Sequence, residues 1–168
     1  TASSFGSPGV RTIHHLLADR FLNKIGTTAV HIPYQGGSGM LVDLFQERLT
    51  FGVMTVSLAM EQAQNGRLRI VAVTGAKRSQ FLPLIPALAE SFPDISASST
   101  AYLLSSPNTP IALHKVLIKA WDRIRKNPAF VQDVMQLKFS PEMLGQEGTR
   151  ALMNQESAYL RNSLSIAN

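Results

Sequence analysis

The sequence has no cysteine, which excludes disulfides, zinc–thiolate sites and thiol catalysis. It has no apolar run approaching the roughly 18–20 residues of a membrane-spanning helix, so direct membrane insertion is not expected. Aromatic residues make up only 7% of the chain and do not interleave with its basic residues. The combination of stacking rings and positive charge that marks a single-strand nucleic-acid binder is therefore missing, and no nucleic-acid partner is expected. Acidic residues are the minority charge: 16 Lys and Arg stand against 11 Asp and Glu, a net charge of +5. Such a balance favours anionic partners in general. Its basic residues are scattered, densest from Lys115 to Lys126 and at Lys77-Arg78. The opening Thr1-Ala-Ser-Ser has neither the basic nor the apolar stretch of a secretory signal, as would also hold for a mature form or a fragment.

What is present is ordinary globular material: 168 residues, 45% hydrophobic, enough for one domain or two small lobes. Thr1–Phe5 reads as a strand leading into Gly6-Ser-Pro-Gly9. From Thr12, a candidate N-cap, Ile13, Leu16, Leu17, Phe21 and Ile25 recur at helical spacing until Gly26 supplies a stop. Ala29–Tyr34 reads as a strand, and Ser38 as the cap of a helix with Leu41, Leu44 and Phe45 on its apolar face. Leu49–Val56 is a buried-type strand, Ser57–Asn65 a short helix ended by Gly66, and Leu68–Thr74 a further strand. This alternation predicts a parallel sheet covered by helices. Residues 75–96 read as a proline-rich loop with one helical turn near Ala87–Ser91, and Ser98–Leu104 as extended chain. Thr109 and Pro110 form a helix-start signal before Leu113, Val116, Leu117, Ala120, Trp121 and Ile124. Asn127-Pro128 breaks that helix, a second piece runs through Leu137, a short strand is expected near Phe139, and a last helix near Thr149–Leu164. These later helices carry wide apolar faces and bring little sheet to lie on.

The chemistry concentrates where strands turn into helices. Tyr34-Gln35-Gly36-Gly37-Ser38-Gly39 joins a strand to a helix start, where free N–H groups and the helix dipole favour an anion. The glycines remove side chains that would block close approach, and Ser38 adds a hydroxyl donor. Ser7, Gly9 and Thr12 repeat the design at a second junction, and Thr55 with Ser57 at a third. In a parallel sheet the C-terminal ends of the strands share one edge, so the three junctions are expected to converge on one anion pocket.

Known phosphate loops do not fit: no Lys follows the glycines, and G-x-G-x-x-G from Gly37 meets Val42 at its last position. The G-x-S-x-G elbow from Gly36 meets Met40, which leaves a serine hydrolase using Ser38 as a remote reading. His14, His15, His31 and His114 lack metal-ligand spacing and read as surface or core histidines; the carboxylates are dispersed. Met40, Met54, Met60, Met135, Met143 and Met153 read as packing residues. No catalytic residue, metal or cofactor is expected.

The stretches SPGVRTIHHLLADRF, VHIPYQGGSGMLVDLFQERLTFGVMTVSLA, NGRLRIVAVTGAKRS and LLSSPNTPIALHKVLIKAW resemble the substrate-binding receptors of tripartite tricarboxylate transporters, the family first described as Bordetella uptake proteins. The likeness continues more weakly through NPAFVQDVMQLKFSPEMLGQEGTRALMNQESAYL. The resemblance implies an α/β fold of the type II periplasmic-binding-protein kind: two lobes that close on a small carboxylate or dicarboxylate held by glycine-rich loops. It implies a periplasmic location, delivery to transporter membrane subunits, and ligand contacts from Ser7, Gly9, Thr12, Tyr34, Gln35, Gly36, Gly37, Ser38, Thr55 and Ser57.

Three departures from the family pattern stand out. Arg11 occupies a position usually small, where it would pair with a second ligand carboxylate or obstruct the pocket. Thr50 and Met54 replace frequent aspartates. Full members also carry an additional N-terminal half-lobe. By this resemblance residues 1–98 are the second, ligand-binding lobe, and 99–168 a mainly helical return to an incomplete first lobe. The helices after Pro110 would then expose apolar faces that invite association with another copy. The alternative from another class is a ligand-sensing or self-associating interaction domain without a transport role.

Overall fold

The structure, a computed structural model, describes residues 3–166, with side chains described through Arg161. The chain divides into two compact units, one running to Ser99 and the other from Thr100 to Asn162.

The first unit is built on β1 (Ser4–Ser7), α1 (Ile13–Lys24), β2 (Val30–Pro33), α2 (Gly37–Phe45), β3 (Phe51–Gly52) and α3 (Val56–Gln64). Its three strands are all parallel and lie in the order β2-β1-β3. The register sets Ser7 opposite Pro33 and Gly6 opposite Gly52, so the three strands end at one edge. Successive residues of a strand point to opposite faces, and β1 uses this to hold a helix on each side. Phe5, fully buried, packs with Ala18 and Leu22 of α1 and with Ala29, Phe51 and Val53. Its neighbour Gly6 faces α2 instead: a Cβ there would lie 2.7 Å from Cγ and Sδ of the buried Met40 and 2.9 Å from Leu49 Cδ1. A Cβ on Gly52 would likewise lie 3.0 Å from Met40 Sδ. The two glycines therefore let α2 settle directly on the sheet.

Local chemistry fixes the helix ends. Thr12 is the N-cap of α1, its hydroxyl accepting from the His15 amide at 3.4 Å. At the C-terminal end of α1, the Thr27 and Gly26 amides return to Leu22 and Asn23 carbonyls, the paired closure that ends many helices. Glu47 and Lys138 occupy the equivalent left-handed position after α2 and after α5 (Pro128–Gln136), with φ 57° and 62°.

Several boundaries differ from the sequence expectation. Ser38 lies inside the first turn of α2, whose N-cap is Gly36; Pro110 rather than Thr109 is the N-cap of α4 (Ile111–Ile124). The expected strand Leu49–Val56 contracts to Phe51–Gly52, because Thr55 already caps α3. Leu68–Thr74 forms no strand: only Val73 bridges, to Ala87, and Val71 is 77% exposed. An alternating apolar run becomes a strand only where neighbours take its main-chain groups along its length, and among the described residues this happens only at its end, at Val73 and Thr74. No strand forms near Phe139 either, because its amide closes α5 by bonding the Val134 carbonyl.

The second unit contains α4 (Ile111–Ile124), α5 (Pro128–Gln136) and the part of α6 (Gln146–Ile166) up to Asn162. Asn127 caps α5 through the Ala129 amide, with Pro128 in the first turn. Trp121 Nε1 donates to the Leu144 carbonyl at 2.8 Å, and the hydroxyls of Thr100 and Tyr102 both donate to Glu156 of α6. Neither α4 nor α5 has a fully buried residue, and Ile111, Leu113, Val116 and Ile124 are all exposed. No helix among the described residues is long and apolar enough to cross a membrane.

Candidate functional site

At the shared strand edge, the β2–α2 corner is open to solvent at Gln35, Gly36, Ser38 and Gly39. Gly36 has φ 91° and ψ −179°, a backbone shape essentially restricted to glycine. From there the amides of Gly36, Gly37, Ser38 and Gly39 enter the first helical turn with no acceptor among the described residues. Ser38 and Gln35 are exposed. The start of α3 lies against this turn, since a Cβ on Gly37 would strike Leu58 Cδ2. The first-turn amides of α3, from Val56 to Leu58, also lack acceptors among the described residues, and Thr55 Oγ1 lies 3.3 Å from Ser57 Oγ. Two helix starts rich in donors are thus neighbours.

The other predicted donors sit differently. Ser7 is fully buried, its hydroxyl donating to the Gly9 carbonyl at 3.0 Å and lying 2.8 Å from His31 Nε2. Thr12 Oγ1 donates to the same Gly9 carbonyl at 2.8 Å. Tyr34 turns its hydroxyl back onto α2, donating to Asp43 at 2.6 Å, while its ring lies 3.4 Å from where a Gly39 Cβ would be. Desolvation, with the Asp43 hydrogen bond, pushes the Tyr34 phenol up to about 12; the same bond, with Arg48, holds Asp43 below the usual carboxylate range. These three side chains shape the corner rather than present a free hydroxyl hydrogen. Arg11 is exposed and left-handed at φ 58°, its amide donating to His15 Nδ1 at 3.0 Å.

Behind the corner lies a group that sequence spacing did not reveal. The His15 and His31 rings stack with centroids 3.8 Å apart, Phe5 stacks on His31 at 4.9 Å, and His15 Nε2 lies 3.1 Å from Asp19. The signal that joins them is register: Phe5 opposite His31 in the sheet. Burial, then the neighbouring His15, holds His31 below its ordinary 6.5, with Asp19 opposing; burial alone lowers His14. The unfolded chain therefore takes up more protons than the folded one as pH falls below about 6.5. Stability is present above that pH and declines beneath it, before the low-lying carboxylates Asp43, Glu90 and Asp94 begin to matter. Thermal unfolding at about pH 7.5 and 5.5 should show the lower midpoint in acid, with the difference reduced in a His14→Asn, His31→Asn variant; equal midpoints in the parent chain would refute the assignment.

Ser7 and His31 do not form a nucleophilic pair, because a fully buried hydroxyl cannot meet a carbonyl substrate. Ser38 has no histidine partner among the described residues. Among those residues no group of three or more His, Asp or Glu could hold a metal.

The parallel sheet flanked by helices, with donor-rich helix starts at its edge, defines a fold of the periplasmic binding-protein class. A structure described as a periplasmic transporter superposes with a TM-score of 0.86 at 23% identity, covering 99% of this chain and 56% of that one. A TctC solute-binding protein from Polaromonas, without ligand, gives 0.75 at 21% identity, covering 98% and 57%. The periplasmic binding protein BugD gives 0.70 at 20%, covering 95% and 55%. The family model described as tripartite tricarboxylate transporter family receptor, TctC, matches residues 2–163, and the chain belongs to that family. Among curated relatives, a UPF0065 protein of Bordetella bronchiseptica is 21% identical over 164 residues, covering 98% of this chain and 49% of the relative. A UPF0065 protein of Cupriavidus necator is 28% identical over 141 residues, covering 82% and 42%. The chain thus spans about half the length of these relatives.

Proposed function

We propose that the chain is part of a periplasmic solute receptor that binds a small carboxylate or dicarboxylate for delivery to the membrane subunits of a tripartite tricarboxylate-type transporter. The observation that carries this reading is the row of amides from Gly36 to Gly39, without acceptors among the described residues, beside the equally open start of α3. Each hydrogen bond to a carboxylate contributes about 1.5–3 kcal/mol, and the helix dipole adds about 0.3–1 kcal/mol. Family membership supplies the transporter context. On this reading the unit up to Ser99 is the ligand-binding lobe, and the unit from Thr100 belongs to the opposing lobe of a clamp closing by hinge motion. Gln35, Ser38, Thr55 and Ser57 offer side-chain donors, Gly9 shapes the neighbouring loop, and Arg11 would meet a second carboxylate. No part of this function requires a reacting group.

Amide resonances followed during titration with acetate, succinate and citrate test it. The Gly36–Ser38 resonances should shift with saturation in the millimolar range, corresponding to about 4 kcal/mol of binding. If they stay fixed while calorimetry also detects no heat, the receptor reading fails. The exposed apolar residues of α4 favour a second reading, a self-associating domain; a monomer throughout a sedimentation concentration series would dispose of it.

A further inference from the structure

We propose that His15 is the positioning residue of the β1–α1 corner, and that its hydrogen bond to the Arg11 amide makes this corner sensitive to protonation. The geometry is a variant of the capping box. Thr12 is the N-cap of α1 and accepts from the amide of His15, the third helical residue. In the usual box the side chain at that third position reaches back to accept from the N-cap amide, and is Glu or Gln. Here the His15 ring reaches one residue further, its Nδ1 accepting from Arg11 N at 3.0 Å.

That bond holds a residue in a shape it would otherwise leave. Arg11 is in the left-handed region at φ 58°, uncommon for a side chain of this type. Thr12 N and Oγ1 both return to the Gly9 carbonyl, so the turn from Gly9 to Thr12 closes on itself with the imidazole as its outer clasp. The ring in turn is held in place. Nε2 lies 3.1 Å from Asp19 one helical turn on, and His31 of β2 stacks across the ring at 3.8 Å. Phe5 of β1 lies beyond at 6.1 Å. With Nδ1 accepting from a main-chain amide, the neutral ring must carry its hydrogen on Nε2, directed at Asp19.

A proton added to Nδ1 turns that acceptor into a donor facing another donor. The Arg11 bond is lost, and a cation appears at the positive end of α1, close to the Arg11 chain and stacked on His31. Asp19, 3.1 Å from Nε2, favours the cation. A Glu or Gln return arm has no such transition between about pH 5 and 8, whereas imidazole ordinarily changes charge in that range. The corner is then clasped while the ring is neutral and released when it is charged.

This inference rests on the receptor reading only in naming what the corner serves; the clasp can be tested without ligand. Amide exchange of Arg11, expressed as protection relative to the unfolded chain, is measured at about pH 8 and pH 5 alongside the ring nitrogen shifts of His15. In the parent chain, protection falls at least tenfold as the His15 ring becomes charged. His15→Gln, which preserves a neutral acceptor, keeps protection at both pH values, and His15→Leu lacks it at both. Succinate is the probe for the corner's use: its affinity falls further from the higher to the lower pH in the parent chain than in His15→Gln, the ligand's own protonation in acid being common to both. Equal Arg11 protection in the parent chain at both pH values, or full protection in His15→Leu, overturns the clasp. If protection behaves as stated while succinate and acetate bind at neither pH, the clasp stands and the receptor reading falls.

Discussion

Replacing Gly6 with alanine should destabilise the first unit by about 1–3 kcal/mol, although it adds only a methyl group. The new Cβ would stand 2.7 Å from Met40 Cγ and Sδ and 2.9 Å from Leu49 Cδ1. Met40 has no exposed surface through which to withdraw. Relief must come from lifting α2 off the sheet, which also loosens the packing between Met40 and Gly52. In a unit of this size such a loss lowers the melting midpoint by roughly 4–8 °C per kcal/mol. The mechanism is separable from any general intolerance of β1 by pairing the change with Met40→Ala, which opens the space. The two substitutions should then cost less together than the sum of their separate effects. Strict additivity would show that the methionine is not the obstacle.

Gly36→Ala has a different cause and a different readout. No heavy atom lies within 4 Å of the Cβ position, so crowding is not the difficulty. The difficulty is the backbone itself, at φ 91° and ψ −179°, which an alanine leaves at a gain of about 1–3 kcal/mol. Leaving it rotates the peptide into α2 and turns the amide row away from its common direction. Met40 and Leu41, buried one turn later, keep the helix seated. The expected result is a folded protein whose succinate affinity, by calorimetry or amide shifts, drops at least tenfold, about 1.4 kcal/mol. Gly66→Ala is the matched control, because that glycine also has positive φ (69°) with no heavy atom within 4 Å and lies outside the amide row. Unchanged affinity in Gly36→Ala would mean that the row is not where the anion rests.

Much of the first unit was legible from sequence because its signals are local. Thr12 before an apolar helical repeat marks a capped helix start, Gly26 and Gly66 mark ends, and glycine clusters mark the turns between strands and helices. The family likeness rested on those same stretches, and the family model spans them. What was not legible depends on partners distant in the chain. The run Leu68–Thr74 has the composition of a strand, but a strand exists only by pairing, and here only Val73 forms a bridge. Ser7 and Tyr34 looked like donors to a ligand because a hydroxyl at a corner has no visible partner in sequence. Register gives Ser7 to His31, and the turn of α2 gives Tyr34 to Asp43. The stacked imidazoles are hidden for the same reason: spacing along one helix carries no trace of them, because His15 and His31 meet across a helix–sheet contact.

The absence of any fully buried residue in α4 and α5 has a bearing on how this chain behaves over time. A helix whose apolar residues face water gains little from staying closed, so its main-chain hydrogens trade with solvent through brief, frequent openings. Those of β1, held between α1 on one face and Met40 of α2 on the other, wait for a much rarer event. A protease sampling the chain would therefore cut first beyond Thr100, and a core ending near Ser99 would be the piece that survives.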